Sequence, residues 1–488
     1  MKRLLFTLLT LSSTVTLADV NTHFNTIRNN PAALYAFLKE MPKGGELHYH
    51  LSGGAYPEAM IDTIRPRQYC LDAKTMNLQE YTDFCNGEDG FNITRDQQLR
   101  DKAIRAWSLK DFVPGEESAH DHFFASFYRF GPIVSASTPQ LLGEVMKTAA
   151  NQNELYMEVM VMPDNGKSME FASRIQGALP LEKKADILLT DPRFQDNIRN
   201  VVADGPRILE QTRALLGCDK SPAPPACSVN VKFIYYALRG QSEDSVFAAA
   251  LTAFATASQS DEYVGVNLVQ AEDGLIATRD YRKHMDIMAF LRKKYPNVHL
   301  SLHAGELGPE DAAPESLRFH IHDAVHTARA ERIGHGTDIA FENDSNALAA
   351  HMAKNGIAVE VNLTSNRKLL GVHGKQHPLR YYLSSNVPVV LSTDDEGVLR
   401  TDLTREYLAA VREHGLDYKT LRTLTRNALT YSFLKGKSLF SDPEKGTYRS
   451  ECTTLDSHDC DLFVSMNPKA QLQRELERRL EAFEARFR

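Results

Sequence analysis

The sequence predicts an α/β protein of the (β/α)8 TIM barrel class, with a helical insertion after the first strand and a helix at the C-terminus. Three observations predict it. Eight short apolar or β-branched runs recur along the 488 residues, separated by longer stretches of helical periodicity. Most of these runs are continuously apolar, as strands buried on both faces should be. No Gly-rich dinucleotide turn follows any of them, which counts against an open doubly wound sheet. Strands that alternate with helices imply parallel βαβ units, and eight such units imply a closed barrel.

The runs fall at residues 46–51, 155–161, 231–237, 264–269, 298–303, 332–334, 358–363 and 388–392. The gap between the first two is too long for one crossover helix. It predicts an insertion over about residues 52–154 that carries Trp107, Phe123, Phe124, Phe127, Tyr128 and Phe130. Insertions after barrel strands lie on the catalytic face, so this one is expected to cover a pocket. The alternative is a set of extra helices on the outside. Beyond Asn467 the chain reads as one amphipathic helix. Asn467 is its expected N-cap, Pro468 fits the first turn, and Leu472, Leu476, Leu480, Phe483 and Phe487 form its apolar stripe. The stripe is expected to pack on the barrel, with a dimer interface as the alternative. Residues 19–488 read as a single domain.

Residues 1–18 read as a secretory signal peptide. Lys2 and Arg3 precede the apolar run 4–11, and Thr16-Leu17-Ala18 supplies small residues for cleavage. The run is too short for a permanent membrane anchor, so an exported chain is expected, periplasmic or secreted. The six cysteines, Cys70, Cys85, Cys218, Cys227, Cys452 and Cys460, fall into three local pairs. In an exported protein these read as three disulfides closing short loops, with sequential pairing as one of fifteen possibilities. The formal net charge of −7 argues against nucleic acid or an anionic membrane as partner and favours a small molecule.

No cysteine pair has zinc-ribbon spacing, so a metal must be held by histidines and carboxylates. His48 and His50 end the first strand at i and i+2, which puts both rings on one face. His303 ends the fifth strand and Asp394 the eighth. Strand ends converge at a barrel mouth, so these four can share one ion. Three imidazoles and a carboxylate suit one Zn²⁺ per chain, with Fe²⁺ or Co²⁺ as substitutes, and leave a position open for water. Glu306 follows in the next loop, where desolvation can keep its carboxyl protonated as a general acid. His335, ending the sixth strand, could orient or deprotonate the water, and Asp395 could bind substrate. The fourth strand, Gly265-Val-Asn-Leu-Val-Gln-Ala-Glu-Asp273, has no Lys to bridge a second metal. His320, His322 and His326 read as surface or packing residues.

Four blocks carry a resemblance. Met41-Pro-Lys-Gly-Gly-Glu-Leu-His-Tyr-His50, Leu302-His-Ala-Gly-Glu306, Arg332-Ile-Gly-His-Gly336 and Ser392-Thr-Asp-Asp395 resemble, in order, the signatures of the adenosine deaminase family. Asn427-Ala-Leu-Thr-Tyr-Ser-Phe-Leu434 is similar to that family's closing helix. The Met-Pro-Lys-Gly-Gly opening is most similar to its extracellular branch, the adenosine deaminase-related growth factors. The resemblance implies hydrolytic deamination of adenosine and 2′-deoxyadenosine to their inosine products. It implies that His48, His50, His303 and Asp394 bind zinc, that Glu306 protonates purine N1, and that His335 and Asp395 hold the attacking oxygen. Three positions depart from the family. Gln270 stands where a Gly backbone N–H usually meets purine N3, so a side chain is expected near the base. Ser52 replaces an Asp that binds the ribose 5′ hydroxyl in intracellular members. Glu396 replaces a Pro after the paired aspartates. The first two leave open an aminohydrolase acting on another N6-substituted purine or nucleoside.

Overall fold

Eight parallel strands form in the order expected. The computed structural model describes residues 14–443 and 445–487. Residues 1–13, which hold the basic and apolar parts of the expected signal peptide, lie outside it. The strands are β1 (Lys43–His50), β2 (Glu154–Val161), β3 (Asn230–Leu238), β4 (Tyr263–Val269), β5 (His299–Ala304), β6 (Arg332–His335), β7 (Ala358–Val361) and β8 (Val389–Leu391). Each pairs in parallel with the next. A bridge between Tyr49 and Asp394 joins the last edge to the first. There the His50 N–H donates to the Asp394 carbonyl at 3.1 Å, and the Asp394 N–H to the His48 carbonyl at 3.2 Å. The closing seam thus runs through three of the expected metal ligands.

Two strands differ from expectation. β1 begins at Lys43, three residues early, because Lys43 is buried and its Nζ donates to the Leu38 and Gln152 carbonyls at 2.8 and 2.7 Å. A cation is tolerated in a buried strand when carbonyls replace its water. β1 also stops at His50, since Leu51 opens a short helix, Leu51–Gly54. β7 stops at Val361, two residues early, and Leu363 opens the helix Leu363–Leu369.

The barrel interior is not wholly apolar. Arg332 is buried on β6 between two carboxylates, donating Nε to Glu360 and Nη2 to Glu158, each at 2.6 Å. Its guanidinium lies 3.7 Å from the Phe433 ring centroid. Paired this way, three buried charges satisfy one another.

The insertion is not purely helical. Tyr69–Asp72 pairs antiparallel with both Asn77–Glu80 and Glu88–Asp89. Tyr69, Leu71 and Leu78 point inward, and the Cys70–Cys85 disulfide staples this small sheet. Period-2 burial over so few residues is easily hidden among helical stretches. Cys218–Cys227 and Cys452–Cys460 complete the sequential pairing. Trp107 is fully buried, with Nε1 donating to the Met76 carbonyl, and so supports the insertion from within.

The terminal helix spans Pro468–Glu484 and packs on the barrel. Leu476 and Leu480 meet Leu47, Leu155 and Val390, and Phe483 and Phe487 meet Phe37. Asn467 occupies the cap position without capping. Its Oδ1 accepts from the Lys437 N–H and its Nδ2 donates to the Phe463 carbonyl, so tertiary partners outcompete the helix end. Among the described residues no helix is long and apolar enough to cross a membrane.

Candidate metal centre and active site

The C-terminal ends of the strands bring the expected ligands together. His48, His50, His303 and Asp394 each offer one ligand atom, all within 4.8 Å of one another, and all four residues are buried. His50 Nε2 lies 3.1 Å from His303 Nε2, and Asp394 Oδ1 lies 3.3 Å from both His48 Nε2 and His50 Nε2. His48 Nε2 has no hydrogen-bond partner among the described residues.

Hydrogen bonds behind the ligands aim these lone pairs. His48 Nδ1 donates to Glu360 Oε2 at 2.7 Å, and His303 Nδ1 donates to Asn267 Oδ1 at 2.9 Å. Each leaves Nε2 as the lone-pair nitrogen facing the shared point. Ser365 Oγ donates to Asp394 Oδ2 at 2.8 Å, which orients the carboxylate. Burial would raise Asp394, but the adjacent His48 and His50 rings hold it well below the usual carboxylate range. Three converging nitrogens and an ionised carboxylate fit a divalent cation.

Glu306 and His335 face the same point. Glu306, His335 and Asp394 also offer atoms within 4.8 Å of one another, and His335 Nε2 lies 3.6 Å from Glu306 Oε1. Burial, then the negative charges of Asp394 and Glu272, push the Glu306 carboxyl well above its ordinary value. The shift is in the direction that a general acid requires. Glu272 also shapes the loop, accepting from the Gly305 and Glu306 N–H groups at 3.0 Å each and from His320 Nδ1 at 2.6 Å. His320 is thus fully buried behind Glu306, whereas His322 is half exposed. Asp395 is buried, pushed well above its ordinary value by burial and by Asp394, and its Oδ1 has no hydrogen-bond partner among the described residues.

Three of these strand ends use left-handed backbone. Gln270, His335 and Asp394 have φ of +89°, +66° and +65°. Non-glycine residues seldom adopt this conformation, and such outliers gather at functional sites. Gln270 occupies the backbone conformation of a glycine, but its side chain is drawn aside. Its Oε1 accepts from the Gly240 N–H at 2.8 Å, so the expected intrusion toward the base is partly relieved.

All of this opens into a cavity of about 1040 Å³. Ser52, Gln270, Glu306 and Asp395 line it together with Phe123, Phe124, Phe127 and Tyr128 of the inserted helix Ala119–Ala136. The insertion therefore contributes to the lining of this cavity. His120 of that helix reaches Asp273, beyond the end of β4, at 3.2 Å.

Comparison with known proteins bears on this arrangement. The sequence profile of the adenosine deaminase family matches residues 208–439, which include His303, Glu306, His335, Asp394 and Asp395. Over that segment the chain is similar to the adenosine deaminase family. It is 34% identical over 197 residues to an adenosine deaminase of Serratia proteamaculans, a segment covering 38% of this chain and 54% of that protein. It is 37% identical over 155 residues to an aminodeoxyfutalosine deaminase of Streptomyces coelicolor, covering 31% of this chain and 37% of that protein. The chain thus spans about a third to a half of the length of these relatives. Among solved structures, adenine deaminase from Arthrobacter aurescens matches with a TM-score of 0.52 at 18% identity, over 81% of this chain and 94% of that one. An amidohydrolase from Burkholderia ambifaria with bound Zn matches with a TM-score of 0.53 at 16% identity, over 92% and 94%. At these identities the two share the fold.

Several residues of the site were not legible in the sequence. Asn267, Glu272 and Glu360 carry hydrogen bonds to the ligands or to the Glu306 loop. Their signal was only a polar residue inside or just after an apolar run. Glu396 is buried near Gln152 and Tyr49, with Oε1 accepting from Gln152 Nε2 at 3.2 Å.

Proposed function

We propose that this protein is a zinc-dependent aminohydrolase that converts adenosine and 2′-deoxyadenosine, with water, to inosine or 2′-deoxyinosine and ammonia. The observation that carries this reading is the Glu306 carboxyl, 3.6 Å from His335 and beside the four converging ligands. His48, His50, His303 and Asp394 would hold the Zn²⁺. When bound, the ion supplies a water whose pKa is lowered enough to attack at neutral pH. The Burkholderia amidohydrolase with bound Zn supports this choice of metal.

Glu306 donates its proton to purine N1, which makes C6 electrophilic. His335 and Asp395 hold the attacking oxygen in line with C6. A C6–O bond forms and the C6–N6 bond breaks; of the two protons of the attacking water, one completes the departing ammonia and the other restores the Glu306 carboxyl, while N1 keeps the proton it received. The aromatic residues of the inserted helix shield the site from bulk water. Ser52, on the short helix after β1, and Gln270 line the part of the cavity next to these groups and would contact the nucleoside.

A second reading keeps the chemistry and changes the substrate to another N6-substituted purine or nucleoside. The match to an aminodeoxyfutalosine deaminase favours it, as do Ser52 and Gln270 at substrate-facing positions. The test is the ultraviolet change of adenosine on adding purified protein, with and without a chelator. Parallel assays use 2′-deoxyadenosine, adenine and AMP. An enzyme inert on both nucleosides and active on another substrate selects the second reading. The three disulfides and the basic, apolar N-terminus support export to a periplasm or to the medium.

A further inference from the structure

We infer that a one-way hydrogen-bond relay, from the Leu379 backbone through His377 and Asn366, fixes His335 as its Nε2–H tautomer. His335 then donates a hydrogen bond into the active site and does not accept a proton there. Asn366 and His377 are positioning residues in this scheme, and only its kinetic part rests on the proposed deaminase reading.

The direction of the relay follows from its anchor. The Leu379 N–H is a backbone group and can only donate, and it donates to His377 Nδ1 at 3.1 Å. His377 Nδ1 is therefore an acceptor, and the neutral ring carries its proton on Nε2. His377 Nε2 lies 3.0 Å from Asn366 Oδ1, so it donates there. This settles which way the Asn366 amide points, which its shape alone leaves open. Asn366 Nδ2 is then the group 3.0 Å from His335 Nδ1, and it donates.

His335 Nδ1 must accept, and the proton of the neutral ring sits on Nε2. A doubly protonated ring would set N–H against N–H at this contact, so the relay disfavours it as well. Asn366, His377 and His335 are all buried, which keeps water from replacing a link. Asn362 Nδ2 is 3.5 and 3.4 Å from the two ring nitrogens, nearly equidistant and longer than the Asn366 contact, so it aligns with neither. Burial also keeps His377 neutral, lowering it to about 3.

The consequence is chemical. His335 Nε2 faces Glu306 and Asp394. With a proton on that atom, His335 holds the attacking oxygen through a lone pair of that oxygen. Of the two roles the sequence allowed it, orienting or deprotonating the water, the relay selects the first.

The test uses the full-length chain labelled with 15N-histidine and long-range 1H–15N correlation spectra. The His335 signals are assigned by their loss in His335→Gln. Wild type should show a protonated Nε2 and an unprotonated Nδ1; the reverse pattern, or two protonated nitrogens, overturns the relay. Asn366→Asp places a carboxylate that accepts from both rings, so it should invert His335 to Nδ1–H. It should lower kcat about tenfold or more while KM stays within about twofold. An Nε2–H ring that persists in Asn366→Asp also overturns the proposal. His377→Gln keeps a donor toward Asn366 and should retain the wild-type tautomer, whereas His377→Leu should not. If the protein turns over no purine, the function reading fails and the spectra still decide the relay.

Discussion

Glu360 Oε2 accepts from His48 Nδ1 at 2.7 Å, while Oε1 of the same buried carboxylate takes Ser301 Oγ and Arg332 Nε. One side chain on β7 therefore aims a metal ligand and neutralises the barrel's buried cation. Glu360→Gln keeps the volume and removes the charge. It should weaken metal affinity about 10–100-fold, the usual effect of losing a partner behind a ligand. It should also cost about 3 kcal/mol of folding stability, because Arg332 loses one of its two counter-charges. Chelator competition and urea denaturation read the two effects; a variant unchanged in both would refute the double role.

Glu306→Gln separates acid catalysis from metal binding. The amide cannot deliver a proton to N1, so kcat should drop about 10²–10⁴-fold. Metal content should not change, since Glu306 lies outside the four converging ligands. Steady-state kinetics with metal analysis on the same sample decide the matter, and wild-type turnover would remove Glu306 from the acid role.

Chelation should abolish turnover and also lower the thermal midpoint. A cation bound to the folded state alone stabilises it by mass action. Zn²⁺ should restore both, and Mg²⁺ should not, because three imidazoles form a poor set for a hard cation. Equal melting curves before and after chelation would mean that these four residues hold no ion.

Gly53 has no room for a side chain. A Cβ there would meet Asp395 Oδ1 at 1.9 Å and its Cγ at 2.6 Å. Gly53→Ala should displace the Asp395 carboxylate and reduce kcat/KM by about 100-fold, the scale of a catalytic group moved by 1 Å. The folding midpoint should change far less, and comparing the two measurements tests whether the closeness serves the site.

Glu406 makes a prediction with a definite sign. Burial raises its carboxyl to about 7, although hydrogen bonds from Thr364 and Thr401 oppose the shift. The folded state thus binds a proton that the unfolded chain releases near the ordinary value of 4.5. Stability from this group is fully present below 4.5 and is lost as pH rises to about 7, a difference of about 3 kcal/mol. Glu406→Gln keeps an acceptor for the Thr364 N–H and should flatten that loss. Denaturation midpoints at pH 4.5 and pH 8 should differ less in the variant than in wild type.

Much of the fold was legible because its signals are local. Continuous apolar runs mark strands buried on both faces, and all eight were found within three residues at each end. The insert's three-stranded sheet was not, since strands of two to four residues leave almost no periodic trace. The candidate metal ligands were legible for a similar reason. His48 and His50 share a strand face by spacing alone, and His303 and Asp394 end strands whose tips must converge. The Asn467 cap failed because Lys437 and Phe463 supply better partners, and those contacts exist only once the tail has packed.

The sequence by itself determined the strand count and the placing of His48, His50, His303, Asp394 and Glu306 at the strand ends, since each depends on neighbouring residues or on barrel closure in general. Only the tertiary structure decided which nitrogens of those histidines face the centre and where Gln270 turns its side chain. The first outcome belongs to Asn267 and Glu360, which lie 36 and 312 residues from the rings they hold, and the second to Gly240, 30 residues from Gln270. A hydrogen bond is set by distances of about 3 Å and by direction, and no pattern along the chain encodes either until the barrel has closed.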